Sequence, residues 1–212
     1  MPFATDRDLL PFEPNLFRDV SWTGQRRIDG ALASTTGSTL TSALSDFNAA
    51  AVGAGFVAIL DGATLEVLDR PSATTLTVSL LRDDPAGPAL PPPAQTNATL
   101  TITSFLPQIA AVHDTLLRTL GIEPADHNAS PAATDITNPA ALTRLEAIGA
   151  LHLIFTPAAA TADNQSLLWT KAGLYRDRFA ALRRRLAVGV DLDGDGLPDA
   201  TRRPNTLQFT RA

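Results

Sequence analysis

Nine residues, Asp191-Leu192-Asp193-Gly194-Asp195-Gly196-Leu197-Pro198-Asp199, set carboxylates at loop positions 1, 3, 5 and 9 and a glycine at position 6. A hard divalent cation takes six to eight oxygens. This spacing offers it the side chains of Asp191, Asp193, Asp195 and Asp199 together with the Leu197 carbonyl at position 7. Gly196 allows the sharp turn that aims them inward. No lysine or arginine interrupts the run, so without a cation the carboxylates repel one another. Position 12, where an EF-hand has a bidentate glutamate, is Arg202. We therefore expect a short Asp-x-Asp-x-Asp-Gly-x-x-Asp loop, weaker than an EF-hand, that binds Ca²⁺ for a structural purpose. The alternative is a solvated turn, since Asp and Gly are common in turns anyway. A catalytic metal is not expected, because no His or Cys lies nearby and Ca²⁺ is a poor generator of hydroxide at neutral pH.

The element that leads into this loop is a helix expected over 164–186. Leu167, Leu168, Leu174, Tyr175, Phe179, Leu182 and Leu186 recur at helical steps and form its apolar face. Lys171, Arg176, Arg178 and the run Arg183-Arg184-Arg185 oppose a single acid, Asp177, so the segment carries +5 in a chain of −5. Cations in a last helical turn sit well against its unpaired carbonyls, by about 0.3–1 kcal/mol each at low salt. A face toward nucleic acid or a protein partner is the competing reading.

At 212 residues the chain suffices for one large domain or two small ones, and 44% hydrophobic content supports a core. Net acidity argues against a duplex-binding protein, though a local basic patch stays open. The absence of cysteine removes disulfides, thiolate chemistry and Cys-based zinc sites. No secretory signal is read in Met1–Asp8, and no apolar run is long enough to span a bilayer.

The elements expected before the helix give an α+β fold, a small antiparallel β module combined with an adaptor unit of about three helices. Residues 1–43 read as an N-terminal arm and a polar extended segment. Within it Leu9, Leu10, Phe12, Leu16, Phe17 and Val20 lie across the chain's own core or a neighbouring subunit. The β module, 44–104, comprises Gly55–Leu60 and Thr64–Asp69 joined by Asp61-Gly62, a pair that tolerates positive φ in a hairpin turn, then Thr74–Leu81 and Ala98–Thr103. Its proline-rich loop 83–97 reads as a linker or a finger presented to a partner. The helical domain, 105–190, opens with Ile109, Val112, Leu116, Leu117 and Leu120 on one face and Gly121 as terminator. Asn138-Pro139 then caps a helix from Ala140 to about Phe155. Residues 191–212 are the Asp-rich loop and a tail.

No other chemistry is evident. His113, His127 and His152 sit in different segments, and a His113–Asp114 dyad lacks a nucleophile elbow around any serine. No phosphate-cradling Gly-Lys-Ser/Thr loop and no Gly-x-Gly-x-x-Gly after a strand is present, so an enzyme is not expected.

Asp46-Phe47 with Val52 and Gly55, followed by a hairpin, make the β half similar to small β modules of virion proteins, while Phe105-Leu-Pro-Gln108, His113 to Ile122, Ala172-Gly-Leu-Tyr175-Arg-Asp-Arg-Phe179 and Asp191 to Arg203 form a pattern of their own. It resembles the head–tail connector neck proteins of tailed bacteriophages, the adaptor and head-completion class. The resemblance implies a structural virion protein forming a ring, commonly a dodecamer. Such a ring docks beneath the portal protein, offers a platform to a tail or stopper protein, and continues a channel through which DNA passes without sequence-specific binding. It implies assembly in the host cytoplasm and residence in the virion neck, with no membrane partner. Strongly basic linings would retard DNA, so Arg183–Arg185 are expected to meet a neighbouring protein or the acidic loop. The inserted β module and its proline-rich loop depart from the shorter, almost wholly helical adaptors, which leaves adaptor, stopper and tail terminator open. The rival is a calcium-dependent binding module of an exported or surface protein, which would explain the loop and the Thr/Ala/Pro-rich composition.

Overall fold

The computed structural model describes residues 1–20, 22–124, 131–160 and 167–205. His127, Asn164 and the tail from Thr206 lie outside them. The fold is α+β, with two compact units: residues 5–105, and residues 1–4 with 106 onward. The helical unit begins one residue after the expected boundary, while the segment 5–43 belongs with the β module and residues 1–4 with the helices.

The first unit is a closed six-stranded barrel, ordered β1-β2-β5-β4-β3-β6, with β1 at Arg26–Thr36, β2 at Thr39–Thr41, β3 at Val57–Leu60, β4 at Ala63–Ser72, β5 at Thr75–Leu80 and β6 at Gln95–Thr103. The β3–β4 turn is the expected Asp61-Gly62 pair, both at positive φ (44° and 81°). Strands β1 and β2 come from the stretch read as polar and extended. Of β1 only Ala33 and Thr35 are buried, so it shows no alternation over most of its length. Three register irregularities against β6 bend it around the barrel, which is how a long strand closes a small sheet.

The proline-rich connection is held down rather than free. Leu90 N–H donates to Ser79 Oγ (2.8 Å), Leu80 N–H to the Leu90 carbonyl (2.8 Å), and the buried Thr35 hydroxyl to the Pro93 carbonyl (3.0 Å). The N-terminal arm is a strap on its own barrel. Leu9, Leu10, Leu16, Phe17 and Val20 are buried, the short helix α1 (Leu16–Asp19) brings Phe17 to 5.3 Å from Phe105, and Arg7 N–H donates to Gly55 (2.9 Å).

In the helical unit α2 (Leu106–Thr119) buries Ile109, Val112, Leu116 and Leu117 as its period requires. It ends on Gly121 at φ 71°, with Ile122 N–H donating to Leu117 O (2.9 Å) and Gly121 N–H to Arg118 O (3.0 Å), a Schellman cap. Helix α3 (Pro139–Ala160) runs beyond Phe155, through Pro157, and is buried on most sides. Gly149 makes that possible. A Cβ there would come within 2.8 Å of both Val112 and the Phe179 ring, so α2 and α4 (Leu167–Arg185) close on α3 at a residue without a side chain. The Phe155 and Tyr175 rings stack at 5.7 Å between α3 and α4.

Among the described residues no helix is long and apolar enough to cross a membrane. Two short strands unseen in the sequence, β7 (Val188–Val190) and β8 (Ala200–Arg202), pair antiparallel after α4.

Candidate metal centre

The Asp-rich loop is the connection of the β7–β8 hairpin, and its base is fastened from both sides. Thr137 N–H donates to the Gly189 carbonyl (3.0 Å), Gly189 N–H to Asn138 Oδ1 (3.0 Å), and Asn138 Nδ2 to the Ala187 carbonyl (3.1 Å). The Asn138 side chain, expected as a helix cap, thus stitches β7 down. A Cβ on Gly189 would collide with the Thr137 hydroxyl and lie 3.0 Å from Pro198. Asp191 N–H donates to the Asp135 carbonyl (2.8 Å) and Asp199 N–H to that of Val190 (3.0 Å), which fixes where the loop starts and stops.

Inside the loop the carboxylates organise the backbone. Asp191 accepts from Gly194 N–H (2.7 Å) and Asp193 N–H (3.2 Å) on one oxygen and from Gly196 N–H (2.7 Å) on the other. The Gly194 and Gly196 N–H groups, more than any other contact, hold the Asp191 carboxyl below its ordinary range. Both glycines stand at φ 84°, a conformation that a side chain would strain. Asp193 accepts from Asp195 N–H (3.2 Å), and Asp195 from Leu197 N–H (2.7 Å).

One oxygen from each of Asp191, Asp193 and Asp195 falls within 4.8 Å of the others. Three anionic oxygens at that spacing are the start of a hard-cation shell, which carbonyls and water would complete. Asp199 is not in this cluster. Its Oδ2 accepts from Leu192 N–H (2.7 Å) and Asp193 N–H (3.2 Å), so it locks the loop shut. Leu197 is brought into the same loop, with its side chain exposed. Arg202, at the position of the missing glutamate, donates instead to the Leu120 carbonyl at the end of α2, a favourable place for a cation.

Helix α4 differs from its reading in one respect. Leu168, Ala172, Tyr175, Phe179, Leu182 and Leu186 are buried or half-buried, whereas Leu167 and Leu174, assigned to the same face, point out, Leu167 with 69% of its surface exposed. The guanidinium of Arg183 lies 5.8 Å over the Phe179 ring and that of Arg178 5.7 Å over Tyr175. No ion pair joins the α4 arginines to the Asp-rich loop among the described residues.

Three buried groups escaped the sequence. His113 pairs with Glu146 (2.7 Å), not Asp114, and the other Glu146 oxygen accepts from Phe3 N–H (2.8 Å) and Ala4 N–H (2.9 Å). Phe3 meets the His113 ring edge-on at 5.0 Å. This network fastens residues 1–4 to α2 and α3. In the barrel, Glu66 takes the guanidinium groups of Arg7 (3.0 Å) and Arg82, and Arg82 also donates to the Gly87 carbonyl. Asp6 is fully buried, and burial drives its carboxyl up to about 7 against the opposing pull of Ser104, the Phe105 N–H and Arg27. Glu66 and Glu146 stand between apolar neighbours in the sequence, a spacing that surface acids also show, and Asp6, beside Arg7 and Asp8, carries no such mark. His152 joins α3 to the Ala172 carbonyl of α4 at 3.3 Å.

No protein-family model, no curated protein and no solved structure matches the chain.

Proposed function

We propose that the chain is a structural assembly subunit, one copy of a ring in the neck of a tailed-phage-like particle, where it joins a portal protein to a tail or stopper protein and continues the DNA channel. The observation that carries this reading is the uncovered side of α4. That helix packs one stripe on α3 and leaves Leu167, Trp169 and Leu174 exposed beside Arg176, Arg178, Arg184 and Arg185. Apolar and cationic groups held together on a rigid helix are suited to a protein neighbour. The closed barrel supports the same reading, because it offers no free strand edge and so directs contacts to side-chain surfaces. The resemblance of the helical segments to neck adaptors supplies the particular place. Copies of the chain, the portal and the tail are its partners, DNA passes without sequence-specific contact, and the virion neck is its location after assembly in the host cytoplasm.

The triad Asp191, Asp193 and Asp195 favours a second reading, a calcium-dependent binding module of an exported or surface protein. In either role Ca²⁺ would be structural, holding the β7–β8 loop in one conformation. Native mass spectrometry with and without calcium, alone and with a portal from the same genome, separates the two. A ring of defined mass, alone or formed on the portal, is the expected result. A chain that binds calcium and stays monomeric in every mixture would overturn the neck reading in favour of the second.

A further inference from the structure

We propose that the helical unit carries a binding site for a guanidinium group on a short hydrocarbon, in the cavity that His113 lines. The cavity, of about 270 Å³, lies between α2, the residues that follow it and the helical turn at Ala133–Asp135. Drug-sized ligands occupy roughly 300–1,000 Å³. This one suits a group the size of a single side chain. His113 is only 4% exposed, and its Nδ1–H donates to Glu146 (2.7 Å). A carboxylate only accepts, so Nδ1 carries the proton and Nε2 keeps its lone pair. No described residue bonds Nε2, yet it is not among the sealed polar atoms that lack a partner, so it opens on the cavity. Glu146 is itself tied to Phe3 N–H and Ala4 N–H, which holds the imidazole in this orientation.

The rest of the lining sets the ligand class. Asp114 and Glu123 bring carboxylates to the same cavity, Leu117, Ile122 and Pro124 give it apolar walls, and no lysine or arginine lines it among the described residues. Glu123 also lies 3.8 Å from Arg118, whereas Asp114 bonds no described residue. Met1 stands at the rim, fully exposed. The cavity therefore offers acceptors, negative charge and hydrocarbon contact. A ligand that matches is a cation with several N–H donors and an apolar stem. Guanidinium fits better than ammonium, because it is more weakly hydrated and its planar fork reaches Nε2 and a carboxylate together. A metal ion is not gathered here, since among the described residues only Asp191, Asp193 and Asp195 bring ligand atoms within 4.8 Å of one another. Nor does Nε2 activate a nucleophile, because the Thr134 hydroxyl in the lining donates to Asp135 (3.3 Å). The site binds without reacting, and it stands whether or not the chain forms rings.

Butylguanidinium, titrated into the full chain with its histidines labelled for nitrogen NMR, tests the site. A saturable shift of the His113 Nε2 signal, assigned by its loss in His113→Asn, is expected with a Kd on the order of 1 mM. Neutral butylurea should give none. His113→Asn keeps a donor for Glu146 where Nδ1 was and deletes Nε2, while Asp114→Asn removes one charge from a half-buried position. Each is expected to weaken binding about tenfold by calorimetry, as the loss of one charge-assisted hydrogen bond does, with circular dichroism unchanged. A histidine that only held the helices together would leave affinity intact in His113→Asn. The group arrives either on a small molecule or on an arginine of a polypeptide. Tighter binding of N-acetylarginine amide than of butylguanidinium identifies the polypeptide, and the reverse order the small molecule. A missing shift at His113, equal binding of butylurea, or undiminished affinity in Asp114→Asn would overturn the proposal, and that last result counts even where His113→Asn fails to fold.

Discussion

The two units bury their cores by different means. Around the barrel, the strap of Leu9, Leu10, Leu16 and Phe17 covers apolar surface, and Glu66 ties Arg7 and Arg82 together beneath the proline-rich loop. In the helical unit, α3 is buried on most sides while α4 covers it with one stripe and leaves its other side to solvent. Their charge is arranged differently too. The barrel segment carries eleven acids against six arginines, whereas the helical segment has eleven of each, with six of its cations on α4 and four of its acids in the 191–199 loop. In the helical unit one side of α4 is left uncovered, whereas the closed barrel leaves no strand edge free.

The sharpest way to break this contrast is at the carboxylate that anchors residues 1–4. Glu146→Ala removes the acceptor of His113, Phe3 N–H and Ala4 N–H together. A loss of about 3–5 kcal/mol is expected, as for other broken buried networks. Urea unfolding followed at Tyr175 and Trp169 in the helical unit should show it. Unchanged stability would mean that residues 1–4 are dispensable to that unit.

Next comes Asp6 in the barrel, where pH does the probing. Its carboxyl is pushed up to about 7 in the fold from the 3.8 of an ordinary aspartate. The stabilising contribution is therefore complete below about pH 4 and is lost as pH rises through 7. A gap of that size is worth at most roughly 4 kcal/mol. Asp6→Asn mimics the protonated acid, so it is expected to flatten the fall in barrel stability between pH 4 and 7 and to stabilise the barrel at pH 8. A variant that tracks the parent across that range would show that Asp6 ionises freely.

The smallest effect concerns the loop. A ligand at a hundredfold excess over its Kd stabilises by about 2.7 kcal/mol. Asp193→Asn with Asp195→Asn should lower Tm in Ca²⁺ and leave it unchanged in chelator. Equal melting of parent and variant in both would leave the loop as a turn organised by hydrogen bonds to its own side chains, with no cation.

Local signals were legible wherever one segment carries its own reason. The Asp61-Gly62 turn, the face of α2 and its end at Gly121, and the inward turn at Gly196 all depend on residues a few positions apart. Leu167 and Leu174 were misassigned because their apolar type fits a buried stripe, yet their angle around α4 places them outside it. Strand β1 was missed because a mostly exposed strand shows no alternation.

The sequence by itself determined the α+β class, the carboxylate spacing of the loop and the segregation of positive charge onto one helix, since each follows from short-range pattern and composition. Only the tertiary structure decided that Glu146 rather than Asp114 meets His113, that Asp199 closes the loop instead of joining the triad, and that Gly149 is where three helices converge. Those outcomes depend on which distant backbones approach closely enough to share a hydrogen bond or exclude a side chain. No spacing along the chain encodes that distance.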